Sequence, residues 1–439
     1  MGRNRRFCSV SVFTHPSSVD SFLLEKAMCA YNQEHMTLIK VGVLRGGPSR
    51  EYEVSLKTGQ HILGMLNSEP LSKTYKAVDI FIDKAGIWHI DGVPHTPESA
   101  LRKVDVIFNA TKGDFGEDGR LQRILESFSM PYVGTSAYGS ALALNKSMAK
   151  AQFKAAGIKT PYFKELKLAH GDDLDPVALN IFRTFPMPVI VKPRGLGSSL
   201  GVSFASNVQE LVEALDHARG FSNEIIVEEY LTGKEIISGF IDDFRGQDLY
   251  HLFPVQVMPH ERNLFGEAVD GPKMAPLSIP EEDEKTADVK LEDLSPEERE
   301  LAAAAAADVP AAEQESLPVI ADEMNGVKIV MPLKRKHSIW NWMSKNSGTY
   351  DYQAPAELRE DEKAAIQAAV KAAREALGLR HFATADFIVH PRRGVFLLEI
   401  NTQPGMHQES PVYKSLDASG VKHHEFLDHL LKLALRRQK

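Results

Sequence analysis

Cysteine is nearly absent from this chain. Only Cys8 and Cys29 occur, both near the N-terminus, which excludes a disulfide scaffold and any cysteine-based zinc site. Long apolar runs are missing too, none approaching the roughly 18 residues of a membrane span. The opening MGRNRRFCSVSVF is basic and then briefly apolar, too short and too polar in its apolar part for a signal peptide. Arg6 stands where a myristoylation signal beginning at Gly2 needs Ser or Thr. The glycine-rich stretch RGLGSSLGV lacks the Walker order of glycines, lysine and hydroxyl. A cytoplasmic location is the expectation.

What is present is ordinary for a globular chain: 439 residues, 43% hydrophobic and 25% charged, enough for two to four domains. Residues 1–36 show no clear periodicity and are expected to be a disordered or loosely attached leader, with Met36 as a candidate start of the folded part. The charge is unevenly spread. Residues 281–316 hold 13 acids against Lys285, Lys290 and Arg299, a net of −10 in a chain of −8. With the alanine run Ala302 to Ala307, this stretch reads as an insertion that is either a solvated helix or disordered.

The rest of the chain is organised around Ala385 to Met406, ADFIVHPRRGVFLLEINTQPGM. Two apolar runs, Phe387 to Val389 and Val395 to Leu398, flank the turn-forming HPRRG, so a hairpin is expected. Asp386 would open the first strand and Glu399 close the second, setting their carboxylates side by side with Asn401 one pleat on. Acids at strand ends are more often solvated than ligating. Two carboxylates and an amide nevertheless suit Mg²⁺, which keeps some waters and takes further oxygens from phosphates.

The whole string, D-F followed by G-x-F-L-L-E-I-N-T-x-P-G-M, resembles the metal loop of the ATP-grasp ligases, and within them the D-alanine-D-alanine ligase family. The resemblance implies that Asp386, Glu399 and Asn401 hold two Mg²⁺ ions, for which Mn²⁺ can substitute, against ATP. It extends to about Leu38 to Ala434, apart from the insertion. LIKVGVLRGGPSREYEVSL reads as a strand, a Gly-Gly turn and a helix with Val54, Leu56, Ile62 and Leu63 as its apolar residues. It is similar to the family's first signature, which makes Glu51 the partner of the first substrate's ammonium. Without the motif Glu51 would be a first-turn partner of the helix dipole, worth roughly 0.3–1 kcal/mol.

Val104 to Phe108 reads as a second buried strand, and the following segment keeps the family's Gly113, Gly116, Glu117, Asp118, Gly119, Gln122, Pro131, Tyr132 and Gly134. Lys112 replaces the usual histidine, a fixed charge where an imidazole is mostly neutral. SALALNKSMAKAQFKAAGIKTPYF reads as one amphipathic helix ended by Gly157 and Pro161, and the resemblance takes Lys146 to the ATP phosphates. Val189 to Val191 read as a strand ending at Lys192, followed by a glycine-serine loop. The resemblance implies that Lys192 lies on the phosphates and that Gly197, Ser198 and Ser199 cradle them, with Ser198 also orienting the substrate. In EIIVEEYLTGKEIISGFI the resemblance gives Glu228 to the adenine amino group, Leu231 to the ring and Glu235 to the ribose.

The departures at Lys112, Pro355, Ala356 and Thr384 fall on the substrate side. Pro355 and Ala356 stand where the closing loop usually has lysine and tyrosine, and Thr384 replaces the arginine that stabilises the tetrahedral oxyanion. That leaves the Gly405 N–H as the recognisable oxyanion donor; losing such a donor costs roughly 2.7–4 kcal/mol unless replaced. Lys112 is the cation expected to compensate. Ser410 and Pro411 lie where the family binds the second substrate's carboxylate.

The fold expected is α/β, a three-domain ATP-grasp architecture with an N-terminal Rossmann-like (preATP-grasp) domain and a two-lobed ATP-grasp fold. Its parts are a leader at 1–36, a substrate domain at 37–134, a central lobe at 135–233 and a C-terminal lobe at 234–439, the last interrupted by an insertion at about 262–335. The function implied is ADP-forming ligation of two D-alanines through an acyl phosphate, for peptidoglycan synthesis and so for cell-wall biogenesis and cell shape. The partners are small molecules, ATP and D-alanine, with a homodimer as the candidate assembly and neither nucleic acid nor membrane insertion. The alternatives are a ligase of another carboxylate with an amine or hydroxyl on the same scaffold, and a nucleotide binder without ligase activity. The metal triad argues against the last.

Overall fold

The computed structural model describes residues 38–197, 199–259, 321–324, 327–330 and 350–436. The expected leader, the acidic stretch 281–316 and Ser198 lie outside them. The chain divides into a large unit, Met1–Met258 with Asn341–Lys439, and a small one, Pro259–Trp340. Among the described residues no helix is long and apolar enough to cross a membrane.

The first sheet begins with β1, Ile39–Gly46, whose IKVGVLRG run is buried through its centre as parallel strands are. It is followed by α1, Tyr52–Leu66, then β2, Tyr75–Ile82, β3, Trp88–Ile90, and β4, Val93–His95. Next come α2, Pro97–Leu101, β5, Val106–Asn109, α3, Gly113–Gly116, α4, Arg120–Ser127, and β6, Tyr132–Val133. The strand order is β4-β3-β2-β1-β5-β6, with β1 parallel to β2 and β5. The chain thus winds one way from β1 to β2 and the other way to β5. The loops leaving β1 and β5 face each other at a topological switch point, where open α/β sheets bind ligands. Three strands that the sequence reading passed over, β2 to β4, separate its first and second strands. The buried face of α1 also differs from expectation: it is Ser55, Thr58, Gly59, Ile62 and Leu66, while Val54, Leu56 and Leu63 are half-buried. The helix turns its small residues inward because Gly59 lies against the Arg45 side chain and Ser55 bonds two loops.

After the first sheet come α5, Ala137–Leu144, and α6, Lys146–Ala155. The single helix expected here is two. Asn145 leaves the helical region at ψ 97° and caps the second helix by accepting the Met148 N–H, an N-cap role that suits asparagine and restarts the helix at Lys146. There follow β7, Phe163–Lys167, α7, Leu174–Thr184, β8, Val189–Pro193, β9, Ser203–Ala205, α8, Val208–Arg219, and β10, Glu224–Glu229. The strands pair antiparallel in the order β7-β10-β8-β9.

Next come β11, Lys234–Phe244, and β12, Gln247–Pro259. In the small unit β13, Ala321–Met324, and β14, Val327–Val330, make an antiparallel pair. The large unit resumes with β15, Tyr350–Gln353, α9, Glu360–Leu377, β16, Phe382–His390, β17, Gly394–Asn401, α10, Pro411–Ala418, and α11, His423–Leu435. Its last sheet runs β15-β12-β11-β16-β17. Helix α9 buries Ile366, Val370, Ala373 and Leu377 and ends in left-handed Gly378, as its periodicity predicts. These residues share a core with Leu142 and Phe153 from α5 and α6 and with Phe387 and Leu397 from the hairpin. Leu416, Phe426, Leu427 and Leu430 of α10 and α11 pack with Val41, Val43 and Phe108 of the first sheet, so the end of the chain completes the core of its beginning.

Candidate active site

The loops at the switch point are pinned together by Ser55. Its Oγ accepts the Gly46 N–H at 2.8 Å and donates to the Ala110 carbonyl at 2.9 Å. After β5, Asn109 Oδ1 accepts the N–H and O–H of Thr111, fixing the approach to Lys112. Lys112 Nζ lies 3.7 Å from Glu117 Oε1, and both side chains are about nine-tenths buried or more. Burial draws both towards their neutral forms, lowering Lys112 and raising Glu117, and their mutual attraction resists it. Glu51, buried at the start of α1, joins the pair electrostatically. A methyl group on Gly197 would lie 3.2 Å from Glu51 Oε2 and 3.6 Å from Glu117 Oε2, so the glycine-serine loop rests directly on these carboxylates, where a larger side chain would crowd them.

The break at Asn145 gives Lys146 its place. Its backbone N–H donates to the Arg194 carbonyl at 3.1 Å; its Nζ donates to the Leu196 carbonyl at 2.8 Å and lies 2.9 Å from Glu399 Oε2. One turn on, Lys150 Nζ donates to Thr160 Oγ1 at 2.8 Å and sits 3.2 Å from Glu228 Oε1, while Lys192 Nζ is 2.9 Å from Glu228 Oε2. Lys192 pairs with Ile226 across β8 and β10, which puts it on the same face as Glu228 two residues further along. Burial alone would lower Lys192, but Glu228, Glu399 and Asp386 hold it above its ordinary value. For Glu228, burial is overcome by Lys150 and Lys192, which keep it below the usual range.

In the hairpin Asp386 is directly opposite Glu399, and Thr384 opposite Asn401, with an irregularity between Asp386 and Phe387. Asp386 lies within its strand rather than opening it, because β16 also pairs with β11 from Phe382 to Val389. The small residues Ala383 to Ala385 carry little strand signal in sequence. The side-by-side carboxylates present oxygens of the kind Mg²⁺ takes. Among the described residues no group of three or more His, Cys, Asp or Glu is placed to hold a metal ion. A cavity lined by Glu117, Lys146, Gly197, Glu399 and Asn401 joins the hairpin to the switch-point carboxylates. Within the field of Asp386, burial first and then that carboxylate push the Tyr352 phenol of β15 up to about 12, so it keeps its proton.

Leu231, Ile388 and Phe396 form a small apolar cluster, and Glu235 pairs with Ile388 in register on β11. Ser199 holds a left-handed turn at φ +57°. At the other side Gly405 lies against His407. Burial, Lys112, Lys57 and His61 lower the His407 imidazole, which brings the TQPGM loop into the field of Lys112. Ser410 precedes α10 and Pro411 begins it. The Ser410 Oγ is buried and has no hydrogen-bond partner among the described residues.

Of the site residues read from sequence, the structure brings Glu51, Lys112 and Gly197 together, Lys146 to Glu399 and Lys192 to Glu228, and sets Asp386 opposite Glu399; Ser198 lies outside the described residues. Sequence reasoning gave Lys150, Tyr352, His407 and Glu117 no role. Lys150 had a signal, four residues after Lys146 on one helix face; Tyr352 lies in the stretch that resembles the closing loop and His407 directly follows TQPGM, but only tertiary packing sets their surroundings.

Comparison with known proteins places these features. A family described as D-ala D-ala ligase C-terminus matches residues 152–262 and 308–432, more than half of the chain, and one described as D-ala D-ala ligase N-terminus matches residues 90–135. The D-alanine–D-alanine ligase of Geobacter sulfurreducens is 36% identical over 224 residues, covering 51% of this chain and 64% of its own. That of Pelotomaculum thermopropionicum is 27% identical over 402 residues, covering 91% of this chain and 98% of its own. The crystal structure of the Bacillus anthracis D-alanine–D-alanine ligase complexed with ATP shares the fold, with a TM-score of 0.59 at 22% identity over 91% of this chain and 98% of that one. The chain belongs to the D-alanine–D-alanine ligase family, with its mixed α/β ATP-grasp architecture.

Proposed function

We propose that the chain is an ATP-dependent ligase that joins two D-alanines, supplying a dipeptide precursor of peptidoglycan. The observation that carries this reading is the ion pair Lys146–Glu399 at 2.9 Å, which ties a phosphate-facing lysine of one lobe to a metal-facing carboxylate of the other. The domain division 37–134, 135–233 and 234–439 is part of the same reading, with ATP between the second and third.

In this reading Lys146 and Lys192 neutralise the phosphates, and the backbone around Gly197, Ser198 and Ser199 orients them. Leu231 faces the adenine ring, Glu228 accepts its amino group and Glu235 takes the ribose hydroxyls. Asp386, Glu399 and Asn401 would hold Mg²⁺, which supplies charge neutralisation on the transferred phosphoryl group. Glu51 holds the first substrate's ammonium while its carboxylate takes the γ-phosphoryl group. Ser410, with its orphaned Oγ, and Pro411 hold the second carboxylate. Attack by the second amine on the acyl phosphate gives a tetrahedral oxyanion that the Gly405 N–H meets, and its collapse expels inorganic phosphate and leaves the amide. Lys112, whose field reaches the His407 loop, adds positive charge in place of the arginine lost at Thr384.

The departures at Lys112, Pro355, Ala356 and Thr384 support a second reading, ligation of another carboxylate to an amine or hydroxyl. Measuring ADP release across D- and L-amino acids, with mass spectrometry of the product, separates the two. D-alanyl-D-alanine at the highest rate is the expected result. Product from another pair only would establish the second reading, and ATP binding with no product would reduce the chain to a binder.

A further inference from the structure

The buried array Lys150–Glu228–Lys192 contains two ammonium groups and one carboxylate. All three side chains are at most 9% exposed, with Lys150 at 0%. A single lysine would neutralise Glu228. The second leaves one positive charge beyond Glu228 within the array, and the carboxylates of Glu399 and Asp386 answer it from the hairpin side. The two lysines are also not equivalent in their surroundings. Lys150 is fixed from behind by Thr160 at 2.8 Å, just before β7. Lys192 lies in the field of Asp386 and Glu399, towards the metal-facing hairpin.

We propose that Lys150 is a positioning residue for the nucleotide: it answers the charge of Glu228 from the side away from the hairpin, so that Lys192 can direct its other donors to the ATP phosphates. The inference rests on the reading that Lys192 meets those phosphates. An ammonium has three donors, and one from Lys192 goes to Glu228. Without Lys150, Glu228 has Lys192 as its nearest cation, and the two close into a neutral pair turned away from the ligand. The electrostatics agree: the same surroundings that hold Lys192 charged leave Lys150 lowered to about 8, with burial the larger cause and the pull of Glu228 partly opposing it.

The test uses the full chain, with Lys150→Gln, which keeps a group for Thr160, and Lys150→Arg, which keeps the charge. Affinity for MgATP is measured by calorimetry and for adenosine by competition, with the melting temperature without ligand checking that each variant folds. Lys150→Gln should weaken ATP about tenfold or more, the scale of one charge-assisted contact, with adenosine affinity unchanged. Lys150→Arg should keep ATP affinity. Equal loss for ATP and adenosine, no loss at all, or an equal loss of ATP affinity in Lys150→Arg would overturn the proposal. A wild-type chain that binds no ATP would overturn the site reading itself, and is seen before any variant is made.

Discussion

His381 Nδ1 accepts the backbone N–H of Gly134 at 3.0 Å, across 247 residues of sequence. The same residue's own N–H donates to Asp242 Oδ2 at 2.6 Å, and Asp242 Oδ1 accepts from Arg374 Nε at 2.7 Å. The bond requires an unprotonated Nδ1, and a charged ring here would face Arg380 and His429. Burial first, then those two neighbours, lower the imidazole to about 3.

Acid stability follows from this. Between the unfolded value near 6.5 and the folded value near 3, the unfolded chain binds a proton that the folded chain refuses. The contribution is complete above about pH 6.5 and is lost as the pH falls towards 3, at most about 5 kcal/mol at 1.36 kcal/mol per pKa unit. Denaturant melts from pH 7 to 4 should show a loss that His381→Gln, which can still accept the Gly134 N–H, makes shallower. An unchanged slope in that variant would rule out His381 as its source.

Glu399→Gln should abolish Mg²⁺-dependent ADP release while changing the melting temperature little, since it removes charge but almost no volume. The Glu399 side chain is 18% exposed, so water softens the loss suffered by Lys146. Retained Mg²⁺-dependent turnover would remove Glu399 from the metal site.

Lys112→Met leaves Glu51 and Glu117 without their buried cation. Breaking a buried pair costs about 3–5 kcal/mol, reduced here because Glu117 is already pushed towards its protonated form. Turnover with D-alanine should fall further than ATP affinity, and Lys112→His should restore much of it. Equal falls in rate and ATP affinity would place Lys112 with the nucleotide instead.

The family match is interrupted between residues 262 and 308, across the most acidic part of the chain. Replacing residues 281–316 by a short Gly/Ser linker should leave the catalytic rate within a fewfold. Collapse of activity in a still-folded variant would give the acidic stretch a part in catalysis.

The hairpin and its paired acids were legible because turn residues and apolar runs fix strand pairing locally, and Asp386 opposite Glu399 is a matter of register. Helix α9 was legible for the same reason, a clean apolar period with a terminal glycine. The break at Asn145 was not, because good helix formers on both sides hide a capping residue whose effect depends on where Arg194 lies. Nor was the inward face of α1, where Ser55, Thr58 and Gly59 are buried for contacts with Ala110, Gly46 and Arg45 rather than for hydrophobicity. Tyr352, and Lys150 in its pairing with Glu228, acquire their electrostatic surroundings from strands far away in sequence.

The shared core of the first sheet and helices α10 and α11 has a consequence for how the chain is made. A ribosome that adds about 5–20 residues per second needs roughly 12–50 s to pass from Gly134 to His381, and longer to reach Leu430. Throughout that interval Val41, Val43, Val106 and Phe108 await the leucines that cover them in the finished protein. The nascent first domain is thus a sheet whose apolar face is only partly covered, by Ile62 and Leu66 of α1, a natural client for chaperones. A ribosome stalled before residue 411 would release a chain able to form its glycine turns and Glu51 loop, yet unable to bury the sheet that carries them.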